Sequence, residues 1–271
     1  MRRALLSLAL LLALSGPTSA FAKGERLTAQ AEYELAERYL KRGYSQKAME
    51  HFQKVRTYFR DDPYALKAEL AIADMSWKKH EWDAARLAYD DFMRSHPRYP
   101  GLDYVVYRYG GTLFHKAPSV AARDQTRTRD AVNAWAGFDA RFPASEWKDE
   151  LHEDLGTAKD RLARKELLIA RFYARRGANA SVAGRVEGLL SEFPDSSDRH
   201  EALYLGGVAW SGLGQLDRAA EALSTLRNEA PQSAWTRRLE RALEDVTLPT
   251  ASPKANGGPT TPGATTAASG T

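Results

Sequence analysis

Cysteine is absent from all 271 residues. That excludes disulfides, thiolate metal sites, cysteine nucleophiles and a thioether-linked lipid within this sequence. Histidine is sparse: His51, His80, His96, His115, His152 and His200 are the only six, and none pairs with another at i+3 or i+4. Without HExxH or a comparable spacing, no metal ligand set is expected. The phosphate-cradling GxxxxGK, a GxGxxG after a strand and the GxSxG of hydrolases are missing too. No nucleophile stands beside a base, so no catalytic residue, no cofactor and no enzyme is expected. A long apolar run is lacking as well. Ala4–Leu14 covers 11 residues, and a bilayer-crossing helix needs about 20.

What is there begins with an address. Met1-Arg2-Arg3 precedes that short apolar run, and small residues follow as far as Ala20-Phe21-Ala22. This is the pattern of a cleavable export signal over residues 1–22, with the mature chain beginning near Lys23. Removing Arg2 and Arg3 lowers Lys+Arg from 39 to 37 against 35 Asp+Glu, a net charge of +2. So balanced a chain offers no electrostatic case for nucleic acid. At the other end, residues 249–271 hold four Pro, four Gly, six Thr and one charge, Lys254. Such a segment has too little apolar surface to offset the entropy of ordering, and a disordered tail is expected.

The body between them repeats. Ala85, Tyr89 and Pro97 set the pattern of a small residue, an apolar one four later and proline twelve later. Ala131, Trp135 and Pro143 match it, as do Ala219, Leu223 and Pro231. Val182, Val186 and Pro194 match with valine for alanine; Ala48 and Phe52 match with Arg60 in the proline place. Twelve residues upstream of the key position stand Ala36, Ala170 and Gly207, each followed three later by an aromatic residue: Tyr39, Tyr173 and Trp210. Gly43, Gly177 and Gly214 then close the first helix, where a left-handed cap is wanted. Small residues let two antiparallel helices approach, and proline ends the second.

This pattern is that of a tetratricopeptide repeat, with a period of about 34 residues. The spacings of 37, 46, 51 and 37 residues leave two insertions: a loop near 115–127, and a stretch over 145–176 long enough for one long helix or two in line. The expected fold is therefore all-α, a solenoid of about five helix pairs. A long helix splits it into three repeats over 23–144 and two over 145–248.

Tyr39, Tyr173 and Trp210 are assigned to the core. Asp90, Asp91, Glu150, Glu153 and Asp154 are read as a solvated face. Tyr33, Trp77 and Tyr107 fall on first-helix positions that line the concave face. They are candidates for an aromatic groove that takes an extended peptide, the alternative being packing against the next repeat.

Several stretches resemble one family beyond the generic repeat: Gly101-Leu-Asp-Tyr-Val-Val-Tyr-Arg-Tyr-Gly110, Ala122-Arg-Asp-Gln125, and Ala131 through Phe142-Pro-Ala-Ser-Glu-Trp147. Asp160-Arg-Leu-Ala163, Arg185-Val-Glu-Gly-Leu-Leu190 and Phe193-Pro-Asp-Ser196 continue the series. In this order, over about 29–245 and including both insertions, they resemble BamD, the repeat lipoprotein of the outer-membrane β-barrel assembly machinery. The family carries a lipobox cysteine, whereas Leu14-Ser15-Gly16 is followed here by Pro17. The expectation is a periplasmic protein peripheral to the inner face of the outer membrane, held there by partners and not by lipid. The resemblance implies that it helps barrel proteins fold and insert. It also implies binding of unfolded barrel substrates by the N-terminal repeats and of the barrel-forming subunit's POTRA domain by the C-terminal ones. Arg185, in the Arg-Val-Glu-Gly motif with Glu187, then stands where the family pairs an arginine with a POTRA acid. From the sequence alone, Arg185 is expected to open the second helix of repeat four. The bland reading is a solvated arginine paired with Glu187 or Glu192. A different function on the same fold, an envelope adaptor for peptidoglycan or division proteins, is the alternative.

Overall fold

The structure, a computed structural model, describes residues 27–247. The expected leader over 1–22 and tail over 249–271 lie outside the described residues. Those described form helices, turns and loops with no strand. The helices come in pairs. They are α1 (Ala29–Lys41) with α2 (Ser45–Tyr58), and α3 (Pro63–Lys78) with α4 (Trp82–Ser95). Next come α5 (Leu102–Lys116) with α6 (Thr126–Trp135) and the short α7 (Phe138–Arg141). Then follow α8 (Lys148–Ala174) with α9 (Asn179–Glu192), and α10 (Arg199–Gly212) with α11 (Leu216–Glu229). A single helix, α12 (Ala234–Ala242), ends the series. The fold is all-α, with five helix pairs of the tetratricopeptide kind.

The repeat residues do what their size requires. Ala48, Ala85, Ala131 and Ala219 are fully buried and Val182 nearly so. Four residues on, Phe52, Tyr89, Trp135, Val186 and Leu223 fill the space between the paired helices. Four of the five pairs turn through a residue with positive φ. Gly43, Gly177 and Gly214 lie at 80°, 69° and 73°, where a β-carbon would be strained. The second pair uses His80 at φ 59°, and its ring stacks on Trp82 at 4.9 Å. Prolines 97, 143, 194 and 231 each follow a helix end by two residues. In the first pair Pro63 opens α3 instead, where its missing N–H goes unneeded.

The chain divides into two compact units between Ile72 and Ala73, within α3. In the first, α1 packs on α2. Tyr33 sits with its ring 5.3 Å from both Phe52 and Tyr64. Tyr39 is half-buried rather than core, stacked on His51, which in turn bonds Glu32 at 2.5 Å.

In the second unit α4 packs on α5, α5 on α6, α6 on α8, and from α8 onward each helix on the next. The long segment forms one continuous helix, α8, of 27 residues, which at about 1.5 Å per residue reaches roughly 40 Å. Its buried stripe is Leu151, Ala158, Leu162, Ala163, Leu167 and Ala170. Tyr173 is half-buried beside the core and Trp210 is buried in it. α12, which the repeat spacing does not announce, covers α10 and α11. Its Leu239 is fully buried against Gly207, where a β-carbon would come within 2.7 Å of the leucine methyl.

Candidate functional site

The sequence of α5 sets up one face. Tyr104, Tyr107, Arg108 and Gly111 stand at i, i+3, i+4 and i+7, so they share a side of the helix. Trp77 reaches this face from α3. Gly111 makes the approach possible, since a β-carbon there would lie 2.6 Å from the Trp77 ring. Its neighbour Gly110 does the same for Trp135, whose indole N–H donates to the Tyr107 carbonyl at 3.1 Å. Two tryptophans thus close on two sides of one helical turn because two adjacent residues have no side chain.

At the centre lies Arg108. Its guanidinium carbon is 4.7 Å from the Trp77 ring centre, 5.1 Å from Tyr104 and 5.5 Å from Tyr107. The structure therefore brings Trp77 and Tyr107 to one cation, while Tyr33 belongs to the first unit with Phe52 and Tyr64. Trp77 is half-buried, its ring edge-on to Trp82, Tyr89 and His115. Tyr107 is half-buried under Trp147, stacked at 5.8 Å. Trp147 also meets Tyr104 at 4.9 Å.

The polar groups around this collar form a network. Asp74 accepts the hydroxyls of Tyr89 at 2.6 Å and Tyr104 at 2.8 Å. Burial, reinforced by the Asp74 charge, pushes the Tyr104 hydroxyl up to about 12. Tyr107 donates a long 3.4 Å bond to Asp154. Asp154 therefore leaves the solvated face expected of it: it is half-buried, and burial raises its carboxyl above the usual range. Asp90 and Asp91 behave as expected, both paired with the exposed Arg94.

Arg108, Trp147, Asp74 and the Gly110-Gly111 pair escaped the reading of the sequence. The i, i+3, i+4, i+7 spacing on α5 was the available signal for the first. Nothing local marks Asp74 or Trp147, which arrive from other elements.

The second candidate surface lies on α9. Arg185 sits mid-helix, seven residues into the 14 of α9, and not at its start. It is exposed, and one of its guanidinium nitrogens donates to Glu166 on α8 at 3.0 Å. Its partner is thus neither Glu187 nor Glu192. Glu187 pairs with Arg218 at 2.7 Å and receives the Trp210 indole N–H at 3.4 Å. Glu192 is held by Arg129 of α6. Sequence spacing along one helix pointed to Glu187 and Glu192; packing of α8 on α9 decided for Glu166.

Further ion pairs link the helices of this half. Arg171 forks onto Glu201 with both bonds at 2.5 Å, and Arg199 onto Glu229 with both at 2.9 Å. Arg227 holds Glu240 at 2.9 Å. Asp198, almost fully buried, pairs with Arg164 at 2.6 Å.

Among the described residues no group of three or more His, Cys, Asp or Glu could hold a metal ion. No described helix is long and apolar enough to cross a membrane. The arrangement offers apolar rings, an arginine among them and ionic rungs, a chemistry of binding.

Comparison with known proteins agrees with this reading. A family described as outer membrane lipoprotein, YfiO, matches residues 25–226. Outer membrane protein assembly factor BamD of Neisseria meningitidis serogroup A is 27% identical over 220 residues, covering 78% of this chain and 80% of the relative. The protein of that name from Pasteurella multocida is 28% identical over 229 residues, 81% and 87% of the two chains. That of Xylella fastidiosa strain 9a5c is 25% identical over 212 residues, 75% and 73%. Among solved structures, a thermophilic TPR protein of Thermus thermophilus is similar over 80% of this chain and all of its own, with 18% identity and a TM-score of 0.34. The type IV pilus biogenesis factor PilW is similar over 79% and 98%, with 14% identity and a TM-score of 0.35. With three quarters of its length matched by the family, the chain belongs to the YfiO outer membrane lipoproteins, the BamD family.

Proposed function

We propose that this chain is a scaffold component of the machinery that folds and inserts β-barrel proteins into the outer membrane, working in the periplasm at that membrane's inner face. The observation that carries the reading is the family match, running through both insertions, to relatives named outer membrane protein assembly factors. The chemistry of the fold is in keeping with it: the chain acts by holding partners, and no bond is made or broken.

The two halves take different partners in this reading. Tyr33 in the first unit, and separately Trp77 and Tyr107 in the second, are offered to the extended chain of an unfolded barrel protein. The last two helix pairs offer the surface that carries Arg185 and Glu187 to the POTRA domain of the barrel-forming subunit, with Arg185 meeting an acidic residue there. Arg185 suits the task because it is exposed and Glu166 engages one of its nitrogens, which leaves the guanidinium fork room for a second carboxylate.

The test is a pull-down from native envelopes with the full chain as bait. Recovery of the barrel-forming subunit is expected. Recovery of peptidoglycan or division proteins in its place would reassign the protein to an adaptor of those systems.

A further inference from the structure

The turn between α1 and α2, in the first unit, gathers charge of one sign. Arg38, Lys41, Arg42 and Lys47 fall within ten residues that contain no acid. All four are exposed, and among the described residues none forms an ion pair. The acids of α1 do not answer them: Glu32 is held by His51, and Glu34 accepts from Gln30. Glu37 and Glu50 bracket the stretch without pairing to it. At the opposite end of the helix pair the signs are mixed, with Arg60 followed by Asp61 and Asp62.

The turn also presents a ring. Tyr44 is 57% exposed, although large aromatic side chains ordinarily bury most of their surface. It is held in that position. The Tyr39 ring meets it edge-on at 6.3 Å, and the Lys47 ammonium lies 5.5 Å from Tyr39 and 5.8 Å from Tyr44. The backbone beneath is fixed as well: the N–H groups of Arg42, Gly43 and Tyr44 donate to the carbonyls of Arg38, Leu40 and Tyr39 at 3.3, 3.0 and 2.9 Å. Gly43 supplies the positive φ that the turn requires.

We propose that the α1–α2 turn docks on the surface of a bilayer containing anionic phospholipid, its cations against the phosphates and Tyr44 at headgroup depth. Long basic side chains reach several headgroups at once from one turn, and each adds attraction to a negative surface. A tyrosine, with an apolar ring and a polar tip, suits the boundary between headgroups and acyl chains. An acidic peptide fits less well. Residues 41–44 are all exposed and offer a peptide no walls, whereas a flat, diffuse anion needs none. The proposal adds to the reading above a contact with the membrane itself. It requires neither the POTRA partner nor a substrate chain, so its failure would leave that reading standing.

Co-sedimentation with vesicles tests it. One set is phosphatidylcholine alone, the other has roughly a third of the lipid replaced by phosphatidylglycerol. The protein is used from Lys23 onward, so that the apolar run near its start cannot insert. Binding is expected only to the anionic vesicles and is expected to weaken as salt is raised. Each cation near such a surface adds about fivefold in affinity. The triple variant Lys41→Gln, Arg42→Gln, Lys47→Gln should therefore bind about a hundredfold more weakly. A control with Lys54→Gln, Arg56→Gln and Arg60→Gln removes as much charge from exposed positions away from the turn, and should keep most of the binding. Equal loss in the two triple variants would reduce the effect to net charge and overturn the site. No preference of the unaltered protein for anionic vesicles overturns the proposal without any variant. So does recovery from envelopes of an acidic protein that depends on the turn, while vesicles stay unbound.

Discussion

Gly111 stands where a β-carbon would come within 2.6 Å of the Trp77 ring. That ring has little room to retreat, being braced by Trp82, Tyr89 and His115 and faced by Arg108. Alanine in a helix interior ordinarily gains about 0.5–1 kcal/mol over glycine. Here overpacking costs about 1–3 kcal/mol and wins. Gly111→Ala is thus expected to unfold at lower urea than the parent and to change the near-ultraviolet dichroism of the tryptophans. A more stable Gly111→Ala protein would mean that the ring moves freely and that no fixed collar exists.

Trp77→Ala separates groove from core. The ring is half-buried, so its loss should fall short of the roughly 3–5 kcal/mol that truncating a fully buried tryptophan costs. The helical signal should remain, and affinity for extended barrel-protein peptides should fall by about 1–3 kcal/mol. A collapse of the helical signal would assign Trp77 to packing.

For Arg185 the expected change is in a partner's affinity. Its exposed bond to Glu166 contributes only about 0–1 kcal/mol to stability, so Arg185→Glu should leave the melting temperature nearly unchanged. It places two negative charges face to face with a POTRA acid, and affinity measured by calorimetry should drop steeply. A matching acid-to-lysine change on the partner should restore part of it. Undiminished affinity returns Arg185 to the solvated surface.

The fork between Arg199 and Glu229 predicts a pH dependence. The Arg199 bonds hold the Glu229 carboxyl below its usual range, while unfolding returns it to about 4.3. The folded value being the lower one, the contribution is complete above roughly pH 5 and is lost as pH falls through the folded value. A His200→Gln background removes the imidazole that lies 3.4 Å from the same carboxylate. In that background, Glu229→Gln should melt lower than its parent at neutral pH, and the gap should close as pH is lowered towards about 3. A gap unchanged down to that pH would show that the fork adds no stability.

The helix pairs were legible because their determinants are local. Ala85, Tyr89 and Pro97 act within one helix and its end, and Gly177 within one turn. His80 shows the limit of that reading: histidine in the turn position gave no sign of the left-handed conformation it adopts, which its stack on Trp82 accompanies. α12 was missed for a related reason. It is a lone helix whose burial depends on Gly207, 32 residues before Leu239.

By itself, the sequence determined the repeat, its five pairs, the long α8 and the family, since period, small residues and turn residues are written in consecutive positions. It also placed Trp77 and Tyr107 on first helices of neighbouring pairs. Only the tertiary structure decided which charges meet: Arg185 with Glu166, Arg129 with Glu192, Asp154 with Tyr107. Only it brought Trp77, from 31 residues before, against Arg108. The reason is physical. Helix propensity and turn geometry act over a few residues, whereas those three charge contacts join side chains 19 to 63 positions apart, at distances fixed by how closely one helix packs on another.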